Sequence, residues 1–202
     1  MKAESQRKIF EKYPKIFGDR TKPMTETCMC WGLEVGDGWY NLIDILCEAL
    51  TYTYTTSVEV DEEDGKRLGI EPSTIGGETV YYFTVQPPQV KASQVKEKYG
   101  TLRFYYYLES DEKNIYLSET KKYPELQKIN DRFSNYIDGI VHYAETASGR
   151  TCEETGQLGE LHATGGTRRG WLKTLNREYA KTELADRDYI PYADVPKYEE
   201  PT

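Results

Sequence analysis

Thr101-Leu102-Arg103-Phe104-Tyr105-Tyr106-Tyr107-Leu108 reads as a β-strand, because β-branched and aromatic residues dominate it. Leu102, Phe104, Tyr106 and Leu108 fall on one face by the two-residue period, and Arg103, Tyr105 and Tyr107 on the other. The first face is core. The second, with Lys96 and Lys98 close by in the chain, is open either to solvent or to a binding partner. Tyr99-Gly100 turns the chain into this strand from an extended segment, Val90 to Lys96. Pro87-Pro88 separates that segment from a further strand, Thr79 to Val85. Residues 79–108 are therefore expected to form an antiparallel sheet.

Two helices should pack on it. Trp39, Leu42, Ile43, Leu46, Leu50 and Tyr54 recur at three and four residues and predict a helix over 39–54, opened by the turn Gly36-Asp37-Gly38. Leu126, Ile129, Phe133, Ile137, Ile140, Ala144 and Ala147 predict another over 124–147, with Pro124 in its permitted first turn. A short helix ends near Pro14, the turn Gly18-Asp19 follows, and 21–38 reads as a loop. Val58 to Ile70, with Glu59, Asp61, Glu62, Glu63 and Asp64, reads as a solvated acidic loop. Residues 152–170 are irregular, and 171–181 read as a short helix. Residues 182–202, with three prolines and six acids against two bases, read as an extended acidic arm. The class is α+β: a core domain over 1–149, a lobe over 150–181, and the arm over 182–202.

Composition narrows the functions. The 202 residues carry 26 Lys+Arg against 34 Asp+Glu, a net charge of −8, which disfavours a nucleic-acid surface. Hydrophobic residues are only 38%, and 18 positions are tyrosine, so phenol rings must form much of the core wall. No apolar run reaches the ~18–20 residues of a membrane span, and no hydrophobic stretch follows Lys2, Arg7 and Lys8 as in a signal peptide. A cytoplasmic protein is expected.

Catalytic signatures are sparse. His142 and His162 are the two histidines, and no Gly-x-Ser-x-Gly or His-x-x-x-His pattern occurs. Cys47 reads as a small core residue. Cys28-Met29-Cys30 lacks the two-residue spacer of a zinc knuckle, and Cys152-Glu153-Glu154-Thr155 lacks the second thiol. The charge is nevertheless segregated: His162 to Lys181 holds five bases (Arg168, Arg169, Lys173, Arg177, Lys181) and one acid, net +4. Gly165-Gly166-Thr167-Arg168-Arg169-Gly170 running into a helix at Trp171 would suit an anion. The same bases also suit a solvated loop, or one paired with the acidic arm folding back.

Three segments resemble a family of proteins encoded by bacteriophages and prophages. They are Gly36-Asp37-Gly38-Trp39-Tyr40-Asn41-Leu42-Ile43-Asp44 with Cys47-Glu48, then Gln94-Val95-Lys96-Glu97-Lys98-Tyr99-Gly100-Thr101-Leu102-Arg103-Phe104-Tyr105, and Thr151-Cys152-Glu153 through Gly156 followed by Gly170-Trp171-Leu172-Lys173-Thr174-Leu175. In many members of that family the last segment is a zinc knuckle. Its ligands would fall here at Cys152, Thr155, Asn176 and Tyr179, so the resemblance implies a degenerate, metal-free knuckle packed around Trp171 and Leu175. No cofactor is expected. The resemblance implies a non-catalytic binding protein that blocks or sequesters a host component such as a defence factor, a host protein met through the arm and strand face, as a monomer or homodimer. An alternative is capture of a phosphorylated nucleotide signal; a nucleic-acid accessory role is a third. The candidate binding residues are Thr167, Arg168, Arg169 and Trp171, with Lys98, Arg103 and Tyr105.

Overall fold

The structure, a computed structural model, describes residues 1–51, 55–165, 167, 168 and 170–196. The α+β class holds. Among the described residues, helices α1 (Ala3–Lys12), α2 (Tyr40–Thr51), α3 (Glu62–Arg67), α4 (Glu112–Ser118), α5 (Pro124–Ser148) and α6 (Arg177–Glu183) accompany nine strands. The strands are β1 (Leu33–Glu34), β2 (Thr56–Val60), β3 (Ser73–Ile75), β4 (Glu78–Val85), β5 (Gln89–Lys98), β6 (Thr101–Glu109), β7 (Glu160–Thr164), β8 (Leu172–Leu175) and β9 (Tyr189–Pro191). They form three three-stranded sheets, ordered β1-β5-β6, β2-β4-β3 and β8-β7-β9. Among the described residues no helix is long and apolar enough to cross a membrane.

The chain divides into two compact units. The first is drawn from Met1–Ala49, Lys91–Tyr107 and Ile140–Thr202, the second from Leu50–Val90 and Leu108–Gly139. Residues 150–181 and the chain on to Pro196 belong to the first.

In the second unit β4 pairs antiparallel with β2 and β3, which sets Val58 opposite Phe83 and Val60 opposite Tyr81. These four residues and Val85 bury themselves with Leu117 of α4 and Tyr123, Leu126 and Phe133 at the start of α5. The expected single sheet over 79–108 is thus corrected. Pro87-Pro88, without N–H groups, divides it, and β4 and β5 enter different sheets.

The expected acidic loop over 58–70 is also corrected. Its start is strand β2, and Asp61 caps α3 by accepting the Asp64 N–H at 2.9 Å. Asp64 is 1% exposed. Its carboxylate accepts from the Tyr123 hydroxyl at 2.7 Å and the Lys122 ammonium at 3.3 Å, and pairs with Arg67. The Tyr123 hydroxyl, the Arg67 guanidinium and the Lys122 ammonium outweigh burial and hold the Asp64 carboxyl below its usual value.

In the first unit the strand pattern holds: Leu102 and Phe104 are buried, while Tyr105 and Tyr107 are exposed. β1 lies parallel to β5, Leu33 beside Val95, so this sheet is mixed. The outer edge of β6 is covered by side chains of α5, with Ser148 Oγ accepting the Leu102 N–H at 2.8 Å and Glu145 Oε1 the Phe104 N–H at 2.9 Å. Cys47 is buried in α2, as expected.

Two expectations for the C-terminal region change. Residues 171–181 are not one helix: β8 occupies 172–175, and α6 starts after Asn176, whose Oδ1 accepts the N–H groups of Glu178 and Tyr179. The described part of the arm is not a free extension either. β9 pairs with β7, Ile190 beside Ala163, and Val195 is 3% exposed. Residues 197–202, the rest of the expected arm, lie outside the described residues.

Asp64→Ala should cost about 2–3 kcal/mol in urea unfolding, since it leaves the buried Tyr123 phenol and the Arg67 guanidinium without their acceptor. The Asp64 pKa is lowered in the folded chain, so its contribution is complete above about pH 4 and lost as pH falls through the lowered value. The variant should therefore show a flatter stability profile between about pH 5 and pH 2, measured by urea midpoints.

Candidate functional site

The first unit closes where three glycine-bearing segments meet. The Gly36-Asp37-Gly38 turn docks on the chain at Thr151–Glu153: the Gly38 N–H donates to Glu153 O at 2.8 Å, the Gly36 N–H to Glu153 Oε1 at 2.9 Å, and the Trp39 indole to Thr151 O at 2.7 Å. A Cβ at Gly38 would sit 2.3 Å from Cys152 O and 2.4 Å from Gly156 N. Only a bare Cα fits. Glu153 in turn donates its N–H to Thr174 O at 2.9 Å, and the Thr174 hydroxyl donates to Gly100 O at 2.6 Å. The β5–β6 turn is thereby fastened to β8.

That turn has both residues at positive φ, Tyr99 at 55° and Gly100 at 78°. This is the two-residue geometry whose twist matches a hairpin. It projects the Tyr99 ring outward, 68% exposed. β7 and β8 form a hairpin whose open end is tied at Thr164 and Trp171: Trp171 O accepts from Thr164 N–H at 3.1 Å, and Trp171 N–H donates to Thr164 Oγ1 at 2.8 Å. No helix begins at Trp171, so the free N–H groups of a helix start, expected there to suit an anion, are absent. Trp171 is 65% exposed and does not pack the lobe. Cys152, Leu175 and Ala180 do.

The turn and the loop together enclose a cleft of about 390 Å³, lined by Glu97, Lys98, Tyr99, Arg168, Gly170, Trp171 and Leu172. Lys98, Arg168 and Trp171 come from the expected set. The Lys98 ammonium lies 5.3 Å from the centre of the Tyr99 ring, and the Arg168 guanidinium 4.9 Å from that of Tyr192. Thr167 shapes the loop, its carbonyl accepting the Gly170 N–H at 3.1 Å. Arg169 lies outside the described residues. Arg103 and Tyr105 are not part of the cleft: Arg103 Nη1 is held by Thr101 Oγ1 and Leu102 O, and Tyr105 lines a separate depression with Met24, Cys28 and Gln94.

Much of the +4 segment is neutralised by the fold. Lys173 Nζ lies 3.2 Å from Glu153 Oε2 and 2.8 Å from Glu154 Oε1, and Arg177 grips Glu160 through Nε and Nη2 at 2.6 and 3.1 Å. Burial works against the Lys173 charge, but the two carboxylates prevail and raise its pKa. Glu97 responds the other way. Burial pushes its carboxyl up, reinforced by the Glu153 charge and partly offset by the Gly100 N–H it accepts. Among the described residues no group of three or more His, Cys, Asp and Glu is arranged to hold a metal.

Glu97, Tyr99, Gly170 and Leu172 line the cleft without belonging to the expected set. Tyr99 was legible as a turn residue, and its odd identity there, where Asn or Gly is usual, was the available signal.

Gly38→Ala should lower stability by about 3 kcal/mol or more, because backbone stands on both sides of the new methyl. Gly139→Ala, inside α5 with nothing within 4 Å of its Cβ, should raise it by about 0.5–1 kcal/mol. Urea midpoints of the pair check the contrast. Compared with known proteins, the chain matches no family model, no curated protein and no solved structure.

Proposed function

We propose that this chain is a phage-type, non-catalytic binding protein that captures a phosphorylated planar small molecule, of nucleotide class, in the cytoplasm of the host cell. One observation carries the reading: two exposed rings, Tyr99 and Trp171, and two cations, Lys98 and Arg168, converge on one cleft. Its volume of about 390 Å³ suits such a ligand. Base–aromatic stacking contributes ~1–3 kcal/mol per base, and charge-assisted bonds to phosphate ~1.5–3 kcal/mol each. The net charge of −8 makes a local pair of cations at an aromatic cleft the more selective for a small anion over a long polyanion.

A second reading, the blocker of a host protein that the phage resemblance implies, draws on the same surface. Exposed Trp, Tyr and Arg are the residues that anchor protein interfaces. In that case the cleft rim is the contact, since the arm is docked on β7 as far as it is described.

Calorimetric titration with AMP, GMP, CMP and UMP separates the two. At least one should bind with Kd below about 1 mM, a free energy near −4 kcal/mol. Lys98→Ala combined with Arg168→Ala should weaken it about tenfold or more. If the wild-type chain binds none of the four, or the double variant binds equally well, the nucleotide reading fails.

A further inference from the structure

Glu97 lines the cleft but is neither one of its rings nor one of its cations. Its Oε1 accepts the Gly100 N–H at 2.6 Å, which fixes the carboxylate against the turn that projects Tyr99. Its other oxygen takes no hydrogen bond among the described residues, and the side chain is only partly buried. A site built to hold an anion thus contains an anion of its own. The conflict resolves if the ligand has two ends: a phosphate that meets Lys98 and Arg168, and a donor edge that meets Glu97.

An ionised carboxylate accepts and does not donate. Facing a base, it is matched by two adjacent N–H donors and repelled by a ring acceptor. The guanine edge offers N1–H beside N2–H₂. Adenine places one amino donor beside the N1 lone pair, cytosine places its amino group beside N3, and uracil flanks one N–H with two carbonyls. We infer that the cleft selects guanine nucleotides, with Glu97 accepting from the guanine N1–H and N2–H₂ while Tyr99 and Trp171 take the ring. This rests on the nucleotide reading above. Burial of Glu97, which raises its pKa, makes a donor partner worth more there than at an open surface. Sites that hydrogen-bond a substrate N–H discriminate strongly against analogues lacking it, because their own polar group is left unpaired.

Calorimetry of the full chain with GMP, IMP and AMP tests this, IMP keeping N1–H and lacking the amino group. GMP should bind at least tenfold tighter than AMP, with IMP between them. Glu97→Gln, which keeps an acceptor for the Gly100 N–H, should bring GMP to the level of AMP. Lys98→Ala with Arg168→Ala should weaken all three and leave their ratio unchanged. Equal GMP and AMP affinities that both respond to the double variant would overturn the guanine assignment and keep the nucleotide reading. Binding of none would overturn both. Should Glu97→Gln fail to fold, the wild-type order of GMP, IMP and AMP decides alone.

Discussion

The first unit depends on a backbone approach between residues more than a hundred positions apart. Gly36 and Gly38 come close enough to Thr151–Glu153 that three N–H donors are satisfied there, with a sequence separation of 117 at the Gly36–Glu153 bond. Each such bond is worth ~1 kcal/mol net, so their sum is modest against the entropy of closing so long a loop. What makes the contact decisive is its position. Glu153 is at once the acceptor for the glycine turn, the donor to Thr174, and the ion-pair partner of Lys173. Thr174 then holds Gly100. A single peptide segment thereby sets the distance between the Tyr99 turn and β8, and with it the width of the cleft.

Asp64 in the second unit and Glu153 in the first are both nearly dry carboxylates, and the two are used differently. Asp64 is ringed by a phenol, a guanidinium and an ammonium supplied from α3 and from the chain just before α5. It organises a corner of its unit. Glu153, 3% exposed, has one cation, Lys173, which it shares with Glu154. Burying charge costs several kcal/mol per ion unless partners are fixed, so both acids restrict how their segments can pack. In the second case the restricted segment is β8, and Trp171 and Leu172 on its approach form one wall of the cleft.

What the sequence disclosed follows the range of the signal. The alternation in β6 and the stripe of α5 are local, strong and found where expected. The caps at Asp61 and Asn176 were equally local, but each was masked by a louder neighbour: a run of acids at one, and the glycine-rich basic loop at the other. Strand β1 is two residues long and parallel to β5, a pairing with no local signature. The cleft joins 97–99 to 168–172, so composition picked out Lys98, Arg168 and Trp171 separately without showing that they meet. Arg103 and Tyr105 failed for a related reason. Sharing a strand face with a site is not sharing the site.

Tyr99 brings these strands together. A tyrosine at φ 55° occupies a backbone region that costs a side chain with a Cβ roughly 1–2 kcal/mol and that glycine enters freely. Local strain of this kind persists only where the surroundings enforce it. Here they do: the turn is tied by Glu97 Oε1 on one side and by the Thr174 hydroxyl on the other. The ring gains little burial in exchange, being 68% exposed, so stability of the free chain does not account for it. A large ring held in strained backbone, turned outward, and set beside a second exposed ring and an accepting carboxylate is the arrangement that the proposed nucleotide site would use.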